Sequence, residues 1–126
     1  MSGRVSHFEI PADDVKRAQA FYAEAFGWNV VPMPEMGYTT VGTTPSDEQG
    51  RPTEVGGING GMMQRQEPIT GPVITIDVED IDAALAKVTA QGGATVVGKQ
   101  AAGDMGFTAY FTDSEGNTLG LWQSAT

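Results

Sequence analysis

Apolar positions recur in the same order twice along this chain, which predicts two copies of one structural unit. In Arg4 to Ile10, Phe8 and Ile10 alternate with Val5, His7 and Glu9. This alternation is typical of a strand with one buried face. Ile74, Ile76 and Val78 repeat the alternation in the second half of the chain.

Each predicted strand leads into a segment whose apolar residues have helical spacing. Asp13 or Asp14 can cap the first helix and Gly27 can end it; Asp80 can cap the second, which should stop at Gly92 and Gly93. The predicted core-facing stripes are Val15, Ala18, Tyr22, Ala25 and Phe26 in the first helix, and Ile81, Ala84, Leu85 and Val88 in the second.

Three further strands are predicted after each helix, near 29–33, 38–42 and 57–65 in the first copy and near 95–99, 107–112 and 118–123 in the second. At the start of the two copies, residues 66 positions apart align, for example Ile10 with Ile76. Near their ends the offset is 59, so that Gly61 aligns with Gly120. A longer polar loop, TPSDEQGRPTE, accounts for the change. The pattern predicts a duplicated βαβββ unit.

Composition narrows the possible partners and chemistry. The 126 residues suffice for one domain with its own core, and the absence of cysteine excludes disulfides and thiolate chemistry. No apolar run could span a membrane, and MSGRVSHFEI lacks the features of a signal peptide, so we expect a cytoplasmic protein. A formal charge of -9 disfavours nucleic acid and anionic membranes as partners. That charge serves solubility or, alternatively, forms an acidic cleft for a cationic ligand.

Three segments, in order, carry a resemblance to a known family: HFEIPADDVKRAQAFYAEAFGW, VITIDVEDIDAALAKV and the closing YFTDSEGNTLGLWQ. With the repeat, they resemble the vicinal oxygen chelate superfamily, which includes glyoxalase I, extradiol dioxygenases, fosfomycin-resistance enzymes and bleomycin-resistance proteins. The resemblance implies an α+β fold in which two βαβββ modules form curled mixed sheets around a cavity. It also implies one domain over residues 1–126, with modules at about 4–66 and 71–124, and a homodimer.

The resemblance further implies where a metal would bind. Metal-dependent members of the superfamily use one side chain from the first and last strand of each module, and those positions here are His7, Gly61, Val73 and Gly120. Only the histidine can ligate, whereas a divalent ion normally needs three or more protein ligands. We therefore expect neither a metal nor another cofactor. A relocated site that uses His7 with Glu9 or Asp77 is the alternative.

His7 and Glu9 are the candidate catalytic residues, because they project from the same face of the first strand. A carboxylate beside an imidazole orients it, and we expect Glu9 to raise the pKa of His7 above its ordinary value of about 6.5. Such a pair is a candidate general acid or base. The alternative is a structural role in which His7 only hydrogen-bonds Glu9 and fills space.

A second group of residues is predicted to contact a small organic ligand in the cavity. Aromatic rings bind planar or cationic molecules, and glycines on the cavity face let a ligand approach the backbone. The predicted contacts are Trp28, Gly61, Met63, Thr75, Tyr110, Gly120 and Trp122, with Tyr38 as a further candidate. Phe8, Phe21, Tyr22, Phe26 and Phe111 are assigned to the helix–sheet core.

Two functional hypotheses follow from these residues. In the first, the protein is a metal-independent, glyoxalase-like enzyme in which His7 and Glu9 move protons on a small organic substrate. In the second, it is a non-catalytic, bleomycin-resistance-like protein that sequesters a ligand in an acidic aromatic cleft. A metal-dependent lyase or dioxygenase with a relocated metal site is a weaker third.

Overall fold

The computed structural model describes residues 3–125, which form eight strands, two α-helices and one short 3-10 helix at Pro34–Met36. The strands are β1 (Arg4–Ala12), β2 (Asn29–Met33), β3 (Tyr38–Gly42), β4 (Asn59–Gln64), β5 (Val73–Asp77), β6 (Ala94–Ala102), β7 (Gly106–Thr112) and β8 (Thr118–Ser124). The helices are α1 (Val15–Phe26) and α2 (Ile81–Ala90). The α+β class and the βαβββ order of both copies are confirmed.

The described chain forms two compact units. The first, His7–Pro72, is called the N-terminal unit; the second, called the C-terminal unit, comprises residues 73–125 together with residues 3–6 at the start of β1. In the N-terminal unit the strand order is β2-β3-β4-β1, and in the C-terminal unit it is β5-β8-β7-β6. The first and last strands of each copy run parallel, and the other neighbours within each unit are antiparallel.

An aspartate caps the start of each helix, as the sequence predicts. The side chain of Asp14 accepts a hydrogen bond from the backbone N–H of Arg17, and Asp80 accepts one from that of Ala83. These bonds satisfy backbone donors that have no partner inside a helix. Gly27 ends α1 in the left-handed conformation, at φ 70°. Neither helix in residues 3–125 is long and apolar enough to cross a bilayer.

The predicted stripe of α2 forms the core of the C-terminal unit. Ile81 and Leu85 are buried against Ala109, Phe111 and Leu121. Ile76, Ala84 and Val88 pack around this cluster. One face of β5, β7 and β8 is therefore covered by α2, and the residues between these positions project from the opposite face.

The stripe of α1 is only partly confirmed. Val15, Ala18 and Tyr22 pack with Phe8 against a buried cluster of Ala12, Val41 and Met62. Phe21 and Phe26, however, were assigned to the core and are 58% and 63% exposed. Ala25 is exposed as well. The assignment was wrong because the last turn of α1 gathers its aromatic rings against one another: the Phe26 ring centroid lies 6.4 Å from that of Phe21 and 6.2 Å from that of Tyr22.

Substitution of Phe8 by alanine should destabilise the protein by about 3 kcal/mol, because it removes a ring packed among the core residues of the N-terminal unit. Phe21→Ala is the matched control: it removes the same side chain from an exposed position on α1 and should change stability by less than about 1 kcal/mol. Urea unfolding of both variants measures the difference. Equal losses of stability would show that the two rings are equally buried.

Candidate functional site

The candidate catalytic residues project from the face of β1 that is turned away from α1. Phe8 packs toward α1, so the alternation of a strand directs its neighbours His7 and Glu9 to the other face. In β3, Thr39 faces α1, because its hydroxyl accepts a hydrogen bond from Gln19 of that helix at 2.9 Å. Tyr38, one residue earlier, therefore lies on the same face of the N-terminal sheet as His7 and Glu9.

The hydroxyl of Tyr38 lies between the two predicted catalytic residues. Its oxygen is 3.2 Å from Nε2 of His7, and it donates a hydrogen bond to Oε2 of Glu9, also at 3.2 Å. The sequence predicted a direct pair of His7 and Glu9, but the structure joins them through a third residue. We call this arrangement the His7–Tyr38–Glu9 chain.

Gly61 provides the space in which the Tyr38 side chain lies. In the register of the sheet, Gly61 is the β4 partner of both Glu9 on β1 and Thr40 on β3. A Cβ atom built on Gly61 would overlap the hydroxyl and the ring of Tyr38. We predicted that Gly61 makes room for a ligand; in the structure, that room is taken by Tyr38.

Burial governs the charge of His7. Desolvation lowers the pKa of His7 below its ordinary value of 6.5, and the negative charge of Glu9 acts in the opposite direction but is the smaller effect. Our expectation of a raised pKa was therefore wrong, because it counted the carboxylate and not the cost of burying an imidazolium ion. Glu9 itself is only 8% exposed. Because burial has the larger effect, His7 is mainly neutral near pH 7.

Four predicted ligand contacts lie together on one face of the C-terminal sheet. Gly120 on β8 pairs with Thr75 on β5 and with Tyr110 on β7. Two residues farther along β8, Trp122 pairs with Asp77 and with Thr108. A Cβ atom on Gly120 would lie 2.9 Å from Oγ1 of Thr75 and 3.5 Å from the ring of Tyr110, so this glycine too is enclosed by side chains.

The remaining two predicted contacts lie in the N-terminal unit, and the structure places Trp28 differently from the prediction. Trp28 stacks on Tyr22, with ring centroids 4.8 Å apart, and also lies 5.7 Å from the ring of Phe8. It therefore belongs to the core under α1 and not to the face that carries His7, which corrects the prediction. Met63 is half-buried and is the β4 partner of Pro11, two positions beyond the pairing of Gly61 with Glu9.

The donor atoms at the superfamily's metal positions do not suit a divalent ion. Gly61, Val73 and Gly120 carry no ligating side chain, and Nε2 of His7 already contacts the Tyr38 hydroxyl. Across residues 3–125, no three histidine, cysteine, aspartate or glutamate side chains come together in a group that could hold a metal. The relocated site that would use His7 with Glu9 or Asp77 therefore lacks a third ligand of this kind.

Comparisons with known proteins agree with the family that the sequence resembles. Residues 4–44 match the family model described as bleomycin resistance protein-like N-terminal. A glyoxylase-like domain-containing protein of Didymella fabae is 32% identical over 123 residues, which cover 94% of this chain and 91% of that protein. A putative glyoxylase of Mycobacterium bovis is 27% identical over 97% of this chain, but the chain spans only 46% of its length.

Solved structures show the same architecture. A variant of methylmalonyl-CoA epimerase from Streptomyces coelicolor, in complex with 2-nitronate-propionyl-CoA, superposes with a TM-score of 0.65 over 100% of this chain and 97% of its own. The sequence identity is 18%. At that level the likeness concerns the fold alone.

The charge state of His7 gives a direct test of the site. Its NMR titration midpoint should lie below 6.5, and Glu9→Gln should lower it further, because the substitution removes the charge that favours the imidazolium ion. A group whose pKa falls on folding stabilises the folded state at every pH above its pKa in the unfolded chain. This contribution should be lost as the pH falls from about 6.5 through the folded value.

Glu24→Gln, on the exposed surface of α1, is the control and should leave the midpoint unchanged. The chain has one histidine, so the signal needs no assignment. A midpoint above 6.5, or one that Glu9→Gln does not move, would contradict this description of the site.

Proposed function

Because the chain belongs to the vicinal oxygen chelate superfamily, we propose that it is a metal-independent, glyoxalase-like protein that transfers a proton on a small organic molecule. His7 is the general base of this proposal, and Glu9 is the carboxylate that stabilises the protonated imidazole. The match to a glyoxylase-like protein over 94% of the chain supports the general class. The His7–Tyr38–Glu9 chain is the observation that carries the chemistry.

The geometry of the His7–Tyr38–Glu9 chain suits an imidazole that acts as a base better than one that is permanently charged. Burial keeps His7 neutral near pH 7, so the imidazole can accept a proton. Once it does, the new positive charge is held near a Glu9 side chain that is 8% exposed, where a charge is screened less than in water. Tyr38 connects the two groups through its hydroxyl. Reactions that depend on a proton transfer, such as isomerisation, elimination or hydration, suit these residues.

A non-catalytic binding protein is the second candidate, and a specific observation favours it. The first third of the chain, residues 4–44, matches a bleomycin resistance protein-like family model, and the formal charge of -9 suits a cationic ligand. In this reading, the His7–Tyr38–Glu9 chain binds the ligand without changing it. Thr75, Tyr110 and Trp122 remain proposed ligand contacts in both readings. A small organic ligand, a cytoplasmic location and a homodimer also stay predictions.

Substitution of His7 by alanine should abolish turnover if the protein is an enzyme and weaken binding at least tenfold if it is a binder. A thermal-shift screen of small aldehydes, ketones and acyl-CoA thioesters, including methylmalonyl-CoA, would supply the ligand, and product analysis would separate the two classes. Phe21→Ala is the control, because it changes an exposed residue of α1 and should keep wild-type behaviour.

The circular dichroism spectrum of the His7→Ala variant should match that of the wild type, since the substitution removes no residue of the buried core clusters. Wild-type turnover and affinity in this folded variant would remove His7 from the mechanism.

Purified protein should contain no stoichiometric divalent metal, because the superfamily's metal positions supply one ligand instead of three or more. Added Zn²⁺, Ni²⁺ or Mn²⁺ should not raise the melting temperature through a saturable site. Elemental analysis and metal titrations measure these outcomes. About one tightly held metal per chain, lost together with activity on chelation, would overturn the metal-independent part of the proposal.

A further inference from the structure

The hydrogen bonds of Tyr38 determine where the proton of His7 lies. A phenolic hydroxyl carries one hydrogen, and that of Tyr38 is donated to Oε2 of Glu9. The contact of 3.2 Å between the same oxygen and Nε2 of His7 can then be a hydrogen bond only if the ring nitrogen donates. In the neutral imidazole this places the proton on Nε2 and leaves the lone pair on Nδ1.

We propose that Tyr38 is a positioning residue that holds His7 in the tautomer protonated on Nε2, so that Nδ1 is the basic atom offered to a ligand. The claim about Nδ1 as a base rests on the proposed function, whereas the tautomer does not. One consequence concerns the direction of proton transfer: near pH 7, His7 accepts a proton from its ligand and does not donate one. A ligand that binds at Nδ1 must therefore present a hydrogen-bond donor or an acidic proton.

The packing around Gly61 makes this arrangement specific to tyrosine. The ring and hydroxyl of Tyr38 lie over the position that a side chain at residue 61 would fill, so the glycine fixes how closely the phenol approaches β1. Glu9 is paired directly with Gly61 in the sheet, which places its carboxylate on the same side. Phenylalanine would fill the same space at residue 38 but would offer no oxygen to join His7 with Glu9.

Nitrogen-15 NMR of the single histidine tests the proposal in the intact 126-residue chain. In the wild type, above the titration midpoint, Nδ1 should resonate as an unprotonated nitrogen and Nε2 as a protonated one, with no detectable population of the other tautomer. The Nε2 proton should also be visible and slow to exchange, as expected for a buried hydrogen bond. A wild-type ring protonated on Nδ1 would overturn the proposal whatever any variant shows.

Tyr38→Phe provides the second arm of the test, with Tyr22→Phe as the matched control. Tyr22 stacks on Trp28 in the core under α1, on the face of β1 opposite to that of His7. Loss of the hydroxyl at residue 38 should make the second tautomer detectable and the Nε2 proton fast to exchange, whereas the control should retain both wild-type features. An unchanged tautomer and exchange rate in folded Tyr38→Phe would show that Tyr38 does not position His7.

These outcomes are independent of the proposed function. A protein that fails the His7→Ala activity test can still show the Nε2 tautomer and its loss in Tyr38→Phe. Conversely, if the enzyme is active but the tautomer of His7 is unchanged in Tyr38→Phe, the proposed function stands and the positioning role of Tyr38 is wrong. The two claims can therefore fail separately.

Discussion

The candidate site depends on one missing side chain, that of Gly61. Any Cβ atom at this position would overlap the hydroxyl of Tyr38, so only glycine allows the phenol to lie against β4. Because the phenol lies there, its oxygen comes within 3.2 Å of both Nε2 of His7 and Oε2 of Glu9. A backbone position without a side chain thus places three polar groups in one hydrogen-bonded chain on a partly buried face of the sheet, where unpaired polar groups would be costly.

Two opposing effects then set the properties of His7. Burial disfavours the imidazolium ion and the charge of Glu9 favours it, and burial is the larger effect. A base must be unprotonated before the reaction and stabilised after it accepts a proton. Desolvation meets the first requirement, and the nearby carboxylate meets the second. The same environment provides no set of metal ligands, since the other superfamily positions are Gly61, Val73 and Gly120.

Periodicity predicted the fold and the faces of the strands well, but not the contacts across them. The alternation around Phe8 correctly separated the core face from the face of His7 and Glu9, and the stripe of α2 was confirmed. The reach of Tyr38 over Gly61 was not predictable, because it depends on strand register and on a long side chain that leans along the sheet. The sequence contained a signal nonetheless: a glycine on the site face and a tyrosine in the preceding strand.

The sequence pattern also failed to predict where the aromatic residues at the end of α1 lie. Helical spacing assigned Phe26 to the core, and the binding properties of an aromatic ring assigned Trp28 to a ligand cavity. Trp28 instead stacks on Tyr22, and Phe26 remains 63% exposed at the edge of that aromatic group. A helical stripe indicates which direction a residue faces, not whether the sheet extends far enough to cover it.

The most direct test of the account is the effect of Gly61→Ala on the titration of His7. One added methyl group, with no charge, should displace Tyr38 and so shift the midpoint and the ring signals of His7, while Gly98→Ala on β6, where a Cβ atom meets nothing within 4 Å, should leave them unchanged. A folded Gly61→Ala variant whose histidine titrates as in the wild type would show that Gly61 and Tyr38 do not control the site.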